Sequence, residues 1–418
     1  MTRPRAAIVA SGSELVRGDR NDRNGPFMAT GLLRLGVAPA RITVVGDDEA
    51  ELERTLREGL AHDLLFVSGG LGPTHDDRTI ELLARAAGLP LVLDEELRVR
   101  IEGVSRRVAE RLGRPYTDFA TGVSKQATLP EGALWVGGIG SAPGVVVQVG
   151  GCVAVALPGP QSELHALWPG VLQTEPVRRV LARAEPAERR VLRFYGVSES
   201  AVALALEAAG GDGDGVEATI CARDTEIHVD LFVSRGAEAR ADDLEARLVD
   251  PVEKFLFSRE EVETPALVLR LLRERGLTVA TAESCTGGLV AARLTAVPGA
   301  SDVVVGGVVA YADSVKEGVL GVPAAVLAAH GAVSAETAAA MARGAREQLG
   351  ADVAVAVTGI AGPDGGTDEK PVGLVFLHAS SARGERVARI DFPGDRDTIR
   401  ARAVVAALHL VRRLVTEP

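Results

Sequence analysis

The stretch from Leu64 to Asp77 reads LLFVSGGLGPTHDD and governs the interpretation of the first half of the chain. Its apolar start predicts a buried strand that runs into a glycine-rich turn, with a helix expected at 78–87. In an open α/β sheet, ligands bind beyond the carboxyl ends of the strands. Glycine amides there can approach phosphate oxygens at a helix N-terminus. Because Asp76 and Asp77 would repel a phosphate unless a divalent cation lay between them, the stretch predicts phosphate and metal together.

Short apolar runs alternate with helical patterns on either side of this stretch. We predict strands at residues 6–10, 42–45, 64–67 and 153–157, and helices at 50–60 and 78–87. The alternation predicts a parallel sheet covered on both faces. Polar loops at 12–15, 22–24 and 157–163 would share one edge of that sheet. An alternative stays open, in which each loop is an ordinary turn and the two aspartates only cap a helix.

Changes in composition near residues 175 and 265 predict three domains. They are an α/β parallel-sheet domain at 1–172, a small α+β connector domain at 173–260 and an α/β domain at 261–418. In the connector we predict a charged helix at 175–190, strands at 189–195 and 226–233, and a flexible turn at 210–215. In the third domain we predict helices at 266–275, 289–294 and 335–349, and strands at 277–281, 303–310, 353–358 and 372–378.

Composition limits the classes of function. The 418 residues are 46% hydrophobic and carry a net charge of −11, and no basic block favours direct nucleic-acid binding. The three cysteines lie more than sixty residues apart, which is typical of a protein from a reducing compartment. We find neither a signal-peptide pattern nor 18 consecutive apolar residues, so we expect a cytoplasmic protein that does not contact a membrane.

The second glycine-rich turn, AESCTGG at 282–288, follows the strand predicted at 277–281. Ser284 in such a strand-to-helix turn is placed for nucleophilic attack, and amides around Gly287 and Gly288 could bind a developing oxyanion. Cys285 is the rival nucleophile, but no His or Lys lies near it in sequence. We therefore interpret Cys285 as a small buried apolar residue.

A serine nucleophile needs a base. His330 and His378 have no motif around them, so we expect His330 to cap a helix or lie on the surface. The 46 basic residues include only four lysines, and a lysine, unlike an arginine, can give up its proton. Lys316, five residues after Tyr311, could take the proton of Ser284 through the Tyr hydroxyl. The alternatives are a surface lysine and a packing tyrosine.

Two later stretches could contact a nucleotide. The strand at 353–358 runs into a glycine-rich loop that contains Thr358 and Gly359. Arg396 and Arg400 lie one turn apart at the start of the last helix, where they could clamp a phosphate. The alternative is a solvated pair whose charges neighbouring aspartates offset.

The motifs GGLGPTHDD, TAESCTGG, GGVVAY, VTGIAGP and GGTDEKPVG together resemble the CinA (competence/damage-inducible protein A) family. For the N-terminal half, the resemblance implies a molybdopterin-binding-like domain with divalent-metal-dependent pyrophosphatase activity on ADP-ribose. The metal would be Mg²⁺, Mn²⁺ or Co²⁺, held by Asp76 and Asp77. The implied site residues are Glu14, Asn24, Gly69, Gly70, Thr74, Asp76, Asp77 and Glu163. Differences from the family pattern fall at Arg23, Ser141, Pro160 and Gln161.

For the C-terminal half, the resemblance implies an amidohydrolase that converts nicotinamide mononucleotide to nicotinate mononucleotide and ammonia without a cofactor. Ser284, Tyr311 and Lys316 would be catalytic. Gly287, Gly288, Thr358, Gly359, Arg396 and Arg400 would bind the substrate. The resemblance also implies a homodimer. Two alternatives stay open: an adaptor for competence or recombination proteins, and a pterin-binding N-terminal module without pyrophosphatase activity.

Overall fold

The strand predicted at 64–67 runs from Leu64 to Ser68 in the computed structural model, which describes residues 3–137, 140 and 142–417. It belongs to the first of two units, which comprises Met1–Arg189 and Val233–Glu238. The strands of this part are β1 (Arg5–Ser11), β2 (Ala38–Val45), β3 (Leu64–Ser68), β4 (Leu91–Leu93), β5 (Thr128–Pro130), β6 (Leu134–Val136), β7 (Gly144–Val149) and β8 (Cys152–Leu157). The helices are α1 (Ser13–Val16), α2 (Asn24–Arg34), α3 (Glu49–Gly59), α4 (Thr79–Ala87), α5 (Glu95–Leu112), α6 (Thr117–Gln126), α7 (Gln161–Leu172) and α8 (Glu175–Leu181).

The main sheet has the order β2-β1-β3-β8-β7-β6. Strands β2, β1, β3 and β8 are parallel, which confirms the α/β prediction, whereas β7 and β6 are antiparallel additions at one edge. The sequence signal for that extension is the pair Gly150 and Gly151 between β7 and β8, since two glycines between apolar runs favour a tight hairpin.

Both faces of the sheet are buried. Along β1, Ala7 and Val9 pack into one core cluster while Ala6 and Ile8 pack into another. Because no face of the central strands meets water, these strands are apolar throughout rather than alternating. The polar residues that remain lie in the loops beyond the strand ends.

The charged helix predicted at 175–190 is shorter than expected. Helix α8 ends at Leu181, and the next strand begins at Glu188. Pro186 explains the difference, because a proline disfavours helical backbone at the residue before it and supplies no N–H of its own.

The second unit comprises Arg190–Phe232 and Ala239–Pro418, so connector strands group with the third predicted domain. The strands from here on are β9 (Glu188–Tyr195), β10 (Val216–Arg223), β11 (Glu226–Val233), β12 (Leu256–Ser258), β13 (Val279–Glu283), β14 (Val304–Val309), β15 (Val353–Gly359), β16 (Leu374–Ser381) and β17 (Gly384–Asp391). The helices are α9 (Glu199–Ala208), α10 (Glu238–Val249), α11 (Thr264–Glu274), α12 (Leu289–Thr295), α13 (Asp313–Gly318), α14 (Ala324–His330), α15 (Ala335–Leu349) and α16 (Arg396–Thr416). Short 3-10 turns lie at Asp250–Phe255 and Ala300–Asp302.

Two sheets form in this part of the chain. One has the order β10-β11-β9-β12, and the other has the order β14-β13-β15-β16-β17. In the second sheet β14, β13 and β15 are parallel, and β16 and β17 are antiparallel. Within the described residues, no helix combines the length and apolar character needed to cross a membrane.

A buried polar cluster links the connector strands to the last helix. Glu226 of β11 accepts hydrogen bonds from His409 of α16 (2.8 Å) and from the Thr264 hydroxyl, and its other oxygen lies 3.2 Å from His228. The Tyr195 ring stacks on His409 with centroids 3.7 Å apart. Burial raises the pKa of Glu226, but these hydrogen bonds together lower it to about 2.

We expect Glu226→Ala to lower the free energy of unfolding by about 3–5 kcal/mol, because it removes one member of a buried, hydrogen-bonded cluster. A carboxyl whose pKa is lower in the folded state adds stability above its unfolded pKa of roughly 4.3, and this is lost as the pH falls towards 2. Urea unfolding at pH 7, 4 and 3 should therefore show a shrinking difference between wild type and variant. Glu217→Ala, on exposed β10, is the control, and equal effects of both variants would contradict the prediction.

Candidate active sites

The loops beyond β1, β3 and β8 surround a cleft of about 980 Å³ in the first unit. The strands are parallel neighbours, so their carboxyl ends meet at one edge of the sheet, as the sequence predicts. The predicted residues that line the cleft are Glu14, Asn24, Gly69, Gly70, Asp76, Asp77 and Glu163. Arg23, Pro160 and Gln161 line it too, whereas Ser141 lies outside the described residues.

Thr74 organises the two aspartates. Its hydroxyl bonds Asp76 Oδ1 (2.5 Å) and Asp77 Oδ2, and its amide donates to Asp77 Oδ2 (2.9 Å). The hydrogen bond from Thr74 lowers the pKa of Asp76, which therefore stays ionised at neutral pH. Thr74 is predicted as a binding residue, but in this structure it orients the carboxylates.

Asn24 connects two of the loops. Its Nδ2 donates to Ser68 Oγ and to the Gly159 carbonyl, both at 2.7 Å, while its buried Oδ1 has no hydrogen-bond partner within the described part of the chain. Because an unpaired buried acceptor costs free energy, Oδ1 is suited to receive a donor from a ligand in the cleft. Across the cleft, burial raises the pKa of Glu163.

The donor set fits a hard divalent cation. Among the described residues, no three His, Cys, Asp or Glu side chains form a ready cluster for a metal. Mg²⁺, however, usually keeps several waters and is held by one or two carboxylates together with substrate phosphates. Asp76 and Asp77, oriented by Thr74 at the cleft, supply such a pair of oxygen ligands.

Two residues of α6 hold the GGLGPTHDD loop and were not predicted as site residues. Gln126 Nε2 donates to the Leu71 carbonyl (3.0 Å), and Lys125 Nζ donates to the Thr74 carbonyl. The sequence gives no signal for these contacts. The bonded residues lie more than fifty positions apart, and the acceptors are backbone carbonyl oxygens, which every residue carries.

In the second unit, β13 ends at Glu283 and places Ser284 directly after the strand. The Glu283 carboxylate is buried and accepts hydrogen bonds from the amides of Gly288 (3.0 Å), Val290 (3.0 Å) and Ala291 (2.9 Å). A carboxylate at a helix N-terminus satisfies donors that lack a partner in the helix. Glu283 thus fixes the turn that carries Ser284. The sequence analysis did not predict this role, because it considered only the neighbouring Ser284 and Cys285 as functional residues of the turn.

We expect Glu283→Ala to lower the free energy of unfolding by at least about 2 kcal/mol, because it leaves three backbone amides without their acceptor. The activity that depends on Ser284 should fall with it, since the turn loses its support. Thermal unfolding and the ammonia-release assay described below measure the two effects. Exposed Glu317→Ala is the control, and a Glu283 variant as stable as that control would contradict the expected role.

Gly287 and Gly288 both have a left-handed backbone, with φ of 62° and 96°. Their amides are already engaged, because Gly287 N donates to Ser284 O (3.1 Å) and Gly288 N donates to Glu283. These two amides therefore already have acceptors within the turn. The neighbouring amides of Cys285 and Thr286 make no hydrogen bond to an oxygen of any described residue, and both face the sulfur of Cys285.

Lys316 is only 1% exposed. Its Nζ donates to the Tyr311 carbonyl and to Asp313 Oδ1, both at 3.1 Å. Two acceptors use two of the three N–H directions of the ammonium. Within the described residues no hydrogen bond joins Lys316 to Ser284, so the predicted relay is not assembled in this structure.

The two predicted arginines brace the loops around Ser284. Arg400 donates to the carbonyls of Cys285 (3.2 Å) and Thr286 (3.1 Å), and Arg396 donates to Gly362 O (2.6 Å) and the Tyr311 hydroxyl (3.0 Å). A guanidinium carries five N–H groups, so each arginine retains donors for an anion.

The remaining predicted binding residues, Thr358 and Gly359, lie at the end of β15 and contact other parts of the chain. The Thr358 hydroxyl donates to Ala332 O (2.7 Å), and a side chain at Gly359 would collide with the Leu374 carbonyl. Cys285 is buried in the core, and burial raises the pKa of its thiol to about 12, which confirms that it packs as an apolar residue. His330 ends α14, where its carbonyl accepts from Lys370 (2.8 Å).

Comparison with known proteins covers both halves of the chain. Residues 262–415 match the family model described as CinA C-terminal domain, and residues 7–177 match a probable molybdopterin binding domain. A CinA-like protein of Mycobacterium sp. (strain JLS) is 43% identical over 424 residues, covering 99% of each chain. A CinA-like protein of Mycobacterium tuberculosis (strain CDC 1551 / Oshkosh) is 42% identical, covering 99% of this chain and 97% of its own.

Solved structures are also similar to part of the chain. The competence/damage inducible protein CihA from Agrobacterium tumefaciens is 42% identical with a TM-score of 0.35, covering 38% of this chain and 99% of its own. The protein CinA with unknown function from Thermoplasma acidophilum is 31% identical with a TM-score of 0.36, covering 40% of this chain and 96% of its own.

Proposed function

The chain belongs to the CinA family, with a molybdopterin-binding-like N-terminal domain and a CinA C-terminal domain, and on this premise we propose that it hydrolyses nicotinamide mononucleotide. The products are nicotinate mononucleotide and ammonia. The observation that carries the proposal is the turn fixed by Glu283, which presents Ser284 at the carboxyl end of β13. Arg400 bonds this turn, and Arg396 lies one helical turn away from Arg400 on α16.

The proposed reaction proceeds in two steps. Ser284 Oγ attacks the carboxamide carbon, and its proton passes through the Tyr311 hydroxyl to Lys316 and then to the leaving nitrogen, which departs as ammonia. Water then attacks the acyl-enzyme ester, and Ser284 regains its proton as the carboxylate forms. The amides of Cys285 and Thr286 stabilise the oxyanion in both steps. Arginine N–H groups that are free of protein carbonyls bind the phosphate.

Ammonia release from nicotinamide mononucleotide by the purified full chain tests this function. We expect release that depends on substrate concentration and that nicotinate mononucleotide inhibits. If no ammonia forms while the chain is folded, the amidohydrolase proposal is wrong and the adaptor hypothesis gains support.

A second proposed function is hydrolysis of ADP-ribose to AMP and ribose 5-phosphate in the N-terminal cleft. It is supported by the paired carboxylates of Asp76 and Asp77 at a cleft large enough for a dinucleotide-sized ligand. Asp76 and Asp77 would hold a divalent cation, which when bound supplies charge neutralisation at the diphosphate. Gly69 and Gly70 line the cleft beside these carboxylates, and Asn24 Oδ1 accepts from a ligand hydroxyl or water.

Removing divalent cations should separate the two activities. We expect EDTA to abolish ADP-ribose hydrolysis, with recovery on adding Mg²⁺, Mn²⁺ or Co²⁺, because only the N-terminal site depends on metal. Ammonia release measured in the same samples should not change. Asp76→Asn should lower ADP-ribose hydrolysis by at least about tenfold. If no metal supports ADP-ribose hydrolysis, the pterin-binding hypothesis becomes the better account of the cleft.

A further inference from the structure

A smaller cavity of about 230 Å³ adjoins the N-terminal cleft. The two cavities share the loop at 70–72 and the side chains of Asp77 and Gln126. The walls of this slot, as we name the smaller cavity, are mainly apolar and include Leu71, Ile80, Leu91, Pro143 and Val145. At about a quarter of the cleft volume, the slot suits one ring system rather than a whole nucleotide.

The charged groups that face the slot are already partnered. Asp77 is bonded by Thr74, Glu81 pairs with Arg78 (2.5 Å), and Lys125 donates to the Thr74 carbonyl. Because each of these charged side chains already has a partner in the protein, the slot does not require a charged ligand. An apolar cavity beside a polar loop is the arrangement expected where a ligand is apolar at one end and polar at the other.

Gln126 is a polar group in the slot with unused bonding capacity. It is only 8% exposed, and its Nε2 donates one hydrogen to the Leu71 carbonyl (3.0 Å). This bond fixes the orientation of the amide, since an oxygen at that position would face another oxygen. Oε1 and the second N–H have no partner within the described residues, so the side chain of Gln126 retains one acceptor and one donor.

We propose that the slot takes the base of an adenine nucleotide whose phosphates lie on the loop at 69–77, and that Gln126 reads the base. This inference rests on the proposed N-terminal function. A glutamine amide pairs with adenine by accepting from its exocyclic amino group and donating to N7. Inosine presents a carbonyl at the same place and would face Gln126 Oε1 with a second acceptor. Gln126 is thus a specificity residue, while Asp76 and Asp77 serve the diphosphate.

The test compares AMP with IMP and with purine riboside monophosphate, which lacks the amino group, by calorimetry on the full chain. Saturating nicotinate mononucleotide is present to occupy the C-terminal site. We expect wild type to bind AMP at least about tenfold more tightly than either analogue. In Gln126→Leu, the ratio of AMP affinity to IMP affinity and the ratio of AMP affinity to purine riboside monophosphate affinity should both fall close to one. Gln148→Leu makes the same chemical change outside both cavities and should keep the wild-type ratios.

The ratio separates base recognition from support of the loop. Losing the bond to Leu71 O would weaken all three nucleotides equally, so a loss of affinity with the AMP preference intact would overturn the inference. Equal binding of AMP and its analogues to wild type would overturn it without any variant. If the chain hydrolyses ADP-ribose and Gln126→Leu still prefers AMP, base recognition in the slot would be rejected and the pyrophosphatase proposal would stand. A Gln126-dependent preference without hydrolysis would support the slot and reject the pyrophosphatase.

Discussion

Ser284→Ala is expected to reduce ammonia release from nicotinamide mononucleotide by at least about 10³-fold, because the chain loses the oxygen that forms the acyl-enzyme. The substitution removes one atom from a half-buried side chain whose backbone amide stays bonded to Val357 O (2.9 Å), so folding should be unaffected. The assay is steady-state ammonia release, with thermal unfolding measured on the same preparations.

Exposed Ser301→Ala is the matched control for this loss and should retain wild-type activity. ADP-ribose hydrolysis should be equal in both variants, which would show that the effect is confined to one site. If Ser284→Ala kept most of the ammonia release, attack by the serine would be wrong and direct attack by water would have to replace it.

Lys316→Arg is expected to lower ammonia release by about 10²–10⁴-fold, the usual contribution of a general acid or base. Arginine keeps the positive charge and donates to the same kinds of acceptor, but it does not give up a proton at neutral pH. Tyr311→Phe should show a similar loss if the phenol relays the proton. If Lys316 is the base, the pH dependence of kcat should change in Lys316→Arg while the stability does not. A lysine with only a structural role would not produce this combination.

The control for this pair is Lys254→Arg, the same change at an exposed position, which should be silent. Because Lys316 is almost fully buried, the larger guanidinium could disturb α13, so the unfolding temperature must accompany the rates. Full activity of a folded Lys316→Arg enzyme would eliminate lysine as the base. Its bonds to Tyr311 O and Asp313 would then be a scaffold for the Tyr311 loop.

The sequence predicted the parallel strands because their side chains are buried on both faces. The strands at 64–67 and 353–358 are within one residue of β3 and β15. The antiparallel strands β6, β7 and β17 were missed. On β17 exposed and half-buried residues alternate from Gly384 to Asp391, so its pattern depends on one covered face and carries less apolar signal.

At the sites, the sequence predicted which loops meet but not which hydrogen bonds form. Glycines and aspartates of the GGLGPTHDD loop do line a cleft, since strand order alone brings loop ends together. The roles of Gln126 and Glu283 depend on bonds to backbone groups, which no residue pattern encodes. For the same reason the sequence could not predict that the amides of Gly287 and Gly288 bond to Ser284 O and Glu283.

Helix α16 carries Arg396, which bonds the Tyr311 hydroxyl. Thirteen residues later it carries His409, in the cluster around Glu226. At 1.5 Å per residue, the two lie about 20 Å apart along one rod. A shorter fragment that began at residue 261 would lack Glu226, Tyr195 and Phe257, and would expose to water the side of the rod that His409 occupies. Glu226, Tyr195 and Phe257 therefore support the helix that carries Arg396 and Arg400 in the C-terminal domain.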